Sequence, residues 1–437
     1  MFGVHCTLNM KIITFDKKNP SEIFQLLKRP ALDLTALRPV VQNILDDVRT
    51  RGDAAVSEYT KKFDKIDLEN FSVNAVEKNR AEALDADLKK AVDTAYKNIF
   101  IFHAAQKSKK KIIETQAGIK CWRKSVGIEN VGLYIPGGTA PLFSTVLMLG
   151  VPAMIAGCKN VVLCTPPQAD GFVHPALLYA GRLCGIKNIF KIGGVQAVAA
   201  MAYGTKTVSK VDKIFGPGNA YVTVAKQLIQ TDGIAIDMPA GPSEVLVIAD
   251  ETASPAFIAA DLLAQAEHGA DSQVVLVATS EKIVQNVLLE LDAQLKKLPR
   301  EVFAQKALAN SIAVIVKNKS EAIHVSNYYA PEHLIIQTND ADVLAEKVVN
   351  AGSVFIGHYT PESVGDYASG TNHTLPTNGF ARAYSGVSLD SFVKKITFQK
   401  ITKQGLQGIA DTVITMAEAE QLKAHAESVR VRMRSDE

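Results

Sequence analysis

Cysteine is scarce: the five in the chain, Cys6, Cys121, Cys158, Cys164 and Cys184, are odd in number and show no Cys-x-x-Cys spacing. They sit in apolar surroundings, so reduced thiols in a cytosolic protein are expected and a disulfide framework is not. A charge of one sign is also missing. The 48 Lys and Arg against 45 Asp and Glu leave a net +3, which provides no field to gather a nucleic acid. No stretch reaches the roughly 18 uninterrupted apolar residues of a membrane span, and the first ten residues lack the basic end and apolar run of a secretory signal. The expectation is a chain that stays in the cytoplasm, with no membrane and no nucleic acid among its partners. Residues 1–9 precede the more orderly run Lys11-Ile-Ile-Thr-Phe15 and are given no function. Low-complexity linkers and solenoid repeats are absent as well.

What is present is ordinary globular material, 47% hydrophobic and 21% charged, in a length that predicts two or three domains each with its own core. From Pro39 to Phe102 the spacing of Val40, Val41, Ile44, Leu45 and Val48, and later of Val92, Tyr96 and Ile99, predicts helices. After Arg123 short apolar strands run into glycine turns. Val131–Ile135 leads into Pro-Gly-Gly-Thr, Val161–Cys164 into Thr-Pro-Pro, Ile189–Ile192 into Gly-Gly-Val-Gln, and Val211–Phe215 into Gly-Pro-Gly-Asn. Four such units in under a hundred residues predict a parallel sheet faced by helices. A second series follows, with strands at 245–248, 274–277, 312–315 and 334–336 and helices near 255–268, 282–296 and 341–350. Residues 352–390 read as a long functional loop, and about 406–433 as helices.

Three places carry candidate chemistry. Glu332 and His333, in Tyr329-Ala-Pro-Glu-His-Leu-Ile-Ile-Gln337, set an acid beside an imidazole where Pro331 biases the chain towards an extended segment. Side chains on a strand alternate faces, so at least one of the pair should point into the interior or a cleft. On the helix expected from Ser254, Asp261, Gln265 and His268 form one polar stripe among Ala, Leu, Ile and Phe. A solvent-facing stripe has the same pattern, but Gln265 and His268 also have metal-ligand spacing. In the glycine-rich segment, Asp366, His358 and His373 occur together, and Asp366 between Gly365 and Tyr367 is either a turn former or a carboxylate aimed into a cleft. Taken alone, His425 reads as an ordinary exposed histidine. The glycine turns suit phosphate, although Gly216-Pro-Gly-Asn-Ala-Tyr221 lacks the third glycine of the dinucleotide fingerprint. Asp237 has the offset of a ribose-binding acid but lies in front of Met-Pro-Ala-Gly-Pro.

Together, Val131-Gly-Leu-Tyr-Ile-Pro-Gly-Gly, Phe215-Gly-Pro-Gly-Asn-Ala, Ile236-Asp-Met-Pro-Ala-Gly-Pro-Ser-Glu-Val-Leu, Gln265-Ala-Glu-His-Gly, Pro331-Glu-His-Leu and Gly365-Asp-Tyr-Ala-Ser-Gly-Thr-Asn-His resemble the histidinol dehydrogenase family, from about residue 35 to the C-terminus. The resemblance implies oxidation of L-histidinol through L-histidinal to L-histidine with two NAD+ and one zinc ion per site. It implies zinc ligation by Gln265, His268, Asp366 and His425, and substrate contacts from Ser243, His333 and Glu420 as well as from these ligands. It further implies NAD contacts from Tyr134, Gln196 and Asn219, with His333 taking substrate protons and Glu332 activating water. A homodimer is implied too, in which Glu420 and His425 complete the other subunit's site.

The fold class expected is α/β, with two incomplete Rossmann-like parallel-sheet domains plus small N-terminal and C-terminal helical segments. Its layout is an N-terminal segment 1–34, a first α/β domain from 35–130 together with 245–380, a second from 131–244, and a mainly helical, dimer-exchanging segment 381–437. Two rivals remain at this point. One is an aldehyde dehydrogenase using a cysteine nucleophile, with Cys158 and Cys164 flanking a strand. The other is a metal-bound regulatory protein that kept the fold without the chemistry.

Overall fold

A computed structural model describes residues 10–18, 20–29, 34–137, 141–239 and 241–434; residues 1–9 lie outside it. Strand β1 (Lys11–Thr14) comes first. After a helical stretch come β2 (Ile112–Gln116), β3 (Ile119–Gly127), β4 (Asn130–Tyr134), β5 (Asn160–Thr165), β6 (Asn188–Lys191), β7 (Lys213–Phe215) and β8 (Ala235–Ile236). The second series is β9 (Glu244–Ala249), β10 (Gln273–Ala278), β11 (Ile312–Ile315), β12 (His333–Gln337) and β13 (Ser353–Ile356), and β14 (Val393–Ile401) closes the set.

Two sheets are wholly parallel. One has five strands in the order β6-β5-β4-β7-β8, the other six in the order β1-β11-β10-β9-β12-β13. Every residue of β9, β10 and β12 is buried, as strands covered by helices on both faces must be. The α/β class expected from strand-and-turn spacing is therefore the observed one. Lys11–Thr14 pairs with β11 as the edge strand of the six-stranded sheet.

Each sheet has a core on each face. Val41, Leu45 and Val48 of the Arg38–Arg51 helix pack with Val162, Val198 and Ile214 on one side of the five-stranded sheet. Val92 and Ile99 of the Ala86–Ala104 helix pack with Leu133, Leu147 and Leu163 on the other. These helices, expected to group with 245–380, thus bury their apolar stripes against the five-stranded sheet; helical periodicity reveals that a face is buried but not against which sheet. Ile258 and Leu262 of the Pro255–Ala266 helix cover one face of the six-stranded sheet, and Val325 and Tyr329 of the Lys319–Tyr329 helix the other.

Two elements differ from the sequence reading. Residues 352–390, expected as a loop, contain β13 and a short helix, Glu362–Tyr367. The C-terminal segment is not only helical: β14 joins β3 and β2 in an antiparallel three-stranded sheet before the helices Lys403–Ala419 and Lys423–Arg434. Most of β14 is exposed, so it lacks the apolar alternation by which a half-buried strand is recognised.

Candidate active site

The starts of β9, β12 and β13 lie side by side, with His333 in register with Val245 and Ser353. They face the loops that leave the carboxyl ends of the five-stranded sheet. Between them lies a cavity of about 710 Å³ lined by Gly216–Asn219 from one side and by Ser243, His268, Glu332 and His373 from the other. Gly216 has φ of +126° and its missing side chain leaves room for the carbonyl of Tyr134, with which a Cβ would collide, so the turn requires glycine there.

Strand β12 is entered through Ala330, whose φ of +55° is unusual for a residue with a side chain. Arg29 Nη2 donates to the carbonyls of Tyr329 at 2.8 Å and Ala330 at 3.3 Å, fixing this turn, and the same guanidinium pairs with the buried Glu244. Glu332 and His333 are consequently both buried. The Glu332 Oε2 accepts from the Glu244 amide at 2.9 Å. The His333 Nδ1 lies 3.6 Å from that same oxygen and 3.3 Å from the Glu244 carbonyl, and its Nε2 lies 3.4 Å from Asp366 Oδ1.

Electrostatics separate the two groups. Desolvation raises the Glu332 carboxyl to about 8, even against the lowering influence of His333. Desolvation alone would lower His333, but the carboxylates of Glu362, Glu332 and Asp366 outweigh it and raise the imidazole to about 10. Burial opposes ionisation of Asp366 too, yet its contact with His333 holds it below the ordinary carboxylate range.

The end of the Pro255–Ala266 helix brings Gln265 and His268 to the same place. Asp261 and Gln265 are buried, so these two members of the polar stripe face inward, whereas His268, just past the helix end, is exposed. Asp261 accepts from Gln337 Nε2 at 2.8 Å, and burial raises its carboxyl to about 7. His268 opens onto the cavity while desolvation lowers its imidazole. Opposite stands the Glu362–Tyr367 helix, whose Glu362 and Asp366 share one face at i, i+4. Gly365 lets this helix close on Phe355, since a Cβ there would come within 2.6 Å of the ring. Donor atoms of His268, Glu362 and Asp366 all lie within 4.8 Å of one another. In one orientation the Gln265 amide oxygen faces the Glu362 carboxylate, two acceptors that a cation between them would satisfy; with the amide turned, its nitrogen instead donates to both oxygens of Glu362 and its oxygen accepts from the Glu244 amide at 3.0 Å.

Glu362 is the member sequence reasoning missed. It is buried, and desolvation raises its carboxyl above the usual range. Its only trace in the sequence is the i, i+4 offset to Asp366. Two buried carboxylates, Glu332 and Glu362, and the half-buried Asp366 around two imidazoles form a costly cluster without a compensating cation, and imidazole with carboxylate is a donor set that suits zinc. The residues present therefore fit a divalent cation. Glu420 and His425 do not join them within this chain: both are exposed, where the two C-terminal helices pack on each other, and neither lines the cavity.

A second cavity, about 880 Å³, opens at the carboxyl ends of β4, β5 and β6. Tyr134, Gln196 and Asn219 all line it, and Asn219 lines the first cavity as well. Tyr134 at the end of β4 and Asn219 beyond β7 place one side of it next to the β4–β7 boundary, where the strand order reverses, the usual place for a ligand in an open parallel sheet. The Tyr134 hydroxyl accepts from the Gly194 amide at 3.0 Å. Gln196 is buried with both ends of its amide unpartnered among the described residues. Asp237 is otherwise occupied: it pairs with Lys226 and accepts from the Gly216 amide at 2.8 Å.

The sequence profile of the histidinol dehydrogenase family matches residues 27–433. The chain belongs to that family. Members of the histidinol dehydrogenase family are NAD-dependent oxidoreductases of histidine biosynthesis, and this chain is one of them. It is 57% identical to the histidinol dehydrogenase of Bacteroides thetaiotaomicron over 425 residues, covering 97% of this chain and 99% of that one. It is 53% identical to the chloroplastic histidinol dehydrogenase of Arabidopsis thaliana, covering 98% and 92%. The crystal structure of histidinol dehydrogenase from Elizabethkingia anophelis superposes with a TM-score of 0.94 at 54% identity, covering 98% of this chain and 99% of that one.

The rival cysteine chemistry finds no footing in this setting. Among the described residues no cysteine lines either cavity. Burial pushes the thiols of Cys164 and Cys184 far up and that of Cys158 to about 11, the opposite of an activated thiolate. No described helix is long and apolar enough to cross a membrane.

Proposed function

We propose that the chain oxidises L-histidinol through L-histidinal to L-histidine, using two NAD+ and one zinc ion per site, as a cytoplasmic homodimer. The observation that carries the reading is the buried acid–imidazole pair Glu332–His333 set against a cation-binding cluster in a member of this family. Gln265, His268 and Asp366 hold the zinc together with His425 of the partner subunit, and Glu362 anchors Gln265 and adds negative charge. When bound, zinc supplies Lewis acidity and fixes the substrate's orientation. NAD, when bound, accepts the hydride at each oxidation.

The chain's own groups move the protons. His333 takes the hydroxyl proton of the alcohol and afterwards that of the aldehyde hydrate. Its raised value reflects the surrounding carboxylates; neutralising Asp366 and Glu362 with a cation removes that influence, and burial then favours the neutral base. Glu332, raised by burial to about 8, exchanges a proton near neutral pH and activates the water that adds to the aldehyde. Ser243, on the same wall of the cavity as Glu332 and His268, orients the substrate with Glu420 of the partner subunit. Tyr134, Gln196 and Asn219 hold NAD, and Asn219 marks where its reactive end meets the substrate. The test is NADH produced per histidinol consumed to completion. Two equivalents are expected, and one equivalent would rule out the second oxidation.

A further inference from the structure

We infer that Asp64 binds the adenosine ribose diol of the dinucleotide and, by its charge, excludes a 2′-phosphate, making it the residue that selects NAD over NADP. This inference rests on the proposed use of the second cavity for NAD. Asn219 lines both cavities, so the nicotinamide end lies beside it. The wall built by Val40, Tyr59, Phe63 and Asp64 belongs to the second cavity alone and is left for the adenosine half.

That wall has the parts an adenosine requires. The rings of Tyr59 and Phe63 are stacked 5.8 Å apart at 8°, and Phe63 is 49% exposed, which offers an aromatic surface to a base. Next to it, at the end of the Asp53–Phe63 helix, stands Asp64. The side chain is half-buried, and its Oδ2 is enclosed without a hydrogen-bond partner among the described residues, so the carboxyl is poorly solvated and a ligand hydroxyl meeting its open part in the cavity would stabilise it. The carboxyl is raised to about 6 by burial, so it is an anion and an acceptor at neutral pH. Asp237, the acid at the sequence offset of a ribose binder, is consumed by Lys226 and Gly216. Lys62 is the only Lys or Arg among the described lining residues. It is exposed, with its ammonium 5.5 Å from the Phe63 ring centre, and does not offset the acid at the diol.

The experiment measures binding of NAD+, 2′-deoxy-NAD+ (lacking the adenosine 2′-hydroxyl) and NADP+ to the full-length zinc-loaded enzyme and to its Asp64→Asn, Asp64→Ala and Gln196→Ala variants, with a thermal melt of each. In the unsubstituted enzyme, removal of the 2′-hydroxyl should weaken binding about tenfold, the scale of one hydrogen bond to a charged group. This arm requires no variant to fold. In Asp64→Ala that sensitivity should vanish, and in Asp64→Asn the NAD-to-NADP preference should fall about tenfold or more. If Gln196→Ala loses NAD while the Asp64 variants keep both the 2′-hydroxyl sensitivity and the NAD preference, the role of Asp64 is overturned and the cavity assignment survives. If neither position affects NAD binding, the cavity assignment fails, and the Asp64 role with it.

Discussion

Around the first cavity the strands of the six-stranded sheet begin, whereas around the second those of the five-stranded sheet end. The materials differ as much as the geometry. Two buried carboxylates, the half-buried Asp366 and two histidines gather at the first, while the second is walled by Pro136, Pro141, Pro166 and Pro167 and by aromatic rings. Charge concentrated in low dielectric shifts proton affinities and attracts a cation; a stiff, weakly charged slot selects by shape and by a few polar atoms. The contrast assigns proton chemistry to one parallel sheet and dinucleotide recognition to the other, with Asn219 at the border.

Substitutions should break this contrast on one side at a time. His333→Asn is expected to have the largest effect, lowering kcat by roughly a thousandfold, within the ~10²–10⁴ range of a general base. NAD affinity, measured by direct titration, should be unchanged. Glu332→Gln comes next: starting from histidinal it should slow oxidation about a hundredfold, with a smaller loss in the alcohol step, and equal losses in single-turnover assays of the two steps would contradict a water-activating role.

The smallest effect is on stability, in protein stripped of metal. Glu332 folds with its carboxyl raised from 4.5 to about 8, so the folded state binds the extra proton and stability falls as pH rises through that window. His333, raised from 6.5 to about 10, contributes stability that is complete below 6.5 and lost as pH rises through 10. Both slopes have the same sign. Chelated protein should therefore melt several degrees lower at pH 9 than at pH 6, on the order of a few kcal/mol, and Glu332→Gln should flatten the part below pH 8. A Tm rising with pH would show that the cluster is not protonated in this way.

Much of this contrast is legible in the sequence because it is local. Val245–Ile248 and Val274–Val277 announce buried parallel strands, and the Gly-Pro-Gly-Asn and Gly-Gly-Val-Gln turns announce where ligands sit. Pro331 next to Glu332-His333 marks the start of β12 within one residue. Glu362 stayed hidden since an acid in the first turn of a helix is ordinary, and its partners Gln265 and His268 are distant in sequence. Asp64 reads as a polar helix end for the same reason. The antiparallel sheet escaped notice because Lys394, Lys395 and Lys400 of β14 face solvent. Glu420 and His425 could be assigned to the site only by family resemblance, and within one chain they remain on the outside.

The central claim is that the charged cavity is a metal site anchored by His268 and independent of the cofactor slot. Metal analysis of purified wild-type and His268→Ala protein, each titrated with NAD+ in parallel, tests it most directly. About one zinc per chain in the wild type, most of it lost in His268→Ala with NAD affinity unaltered, is the predicted result. Full zinc occupancy in His268→Ala would contradict it.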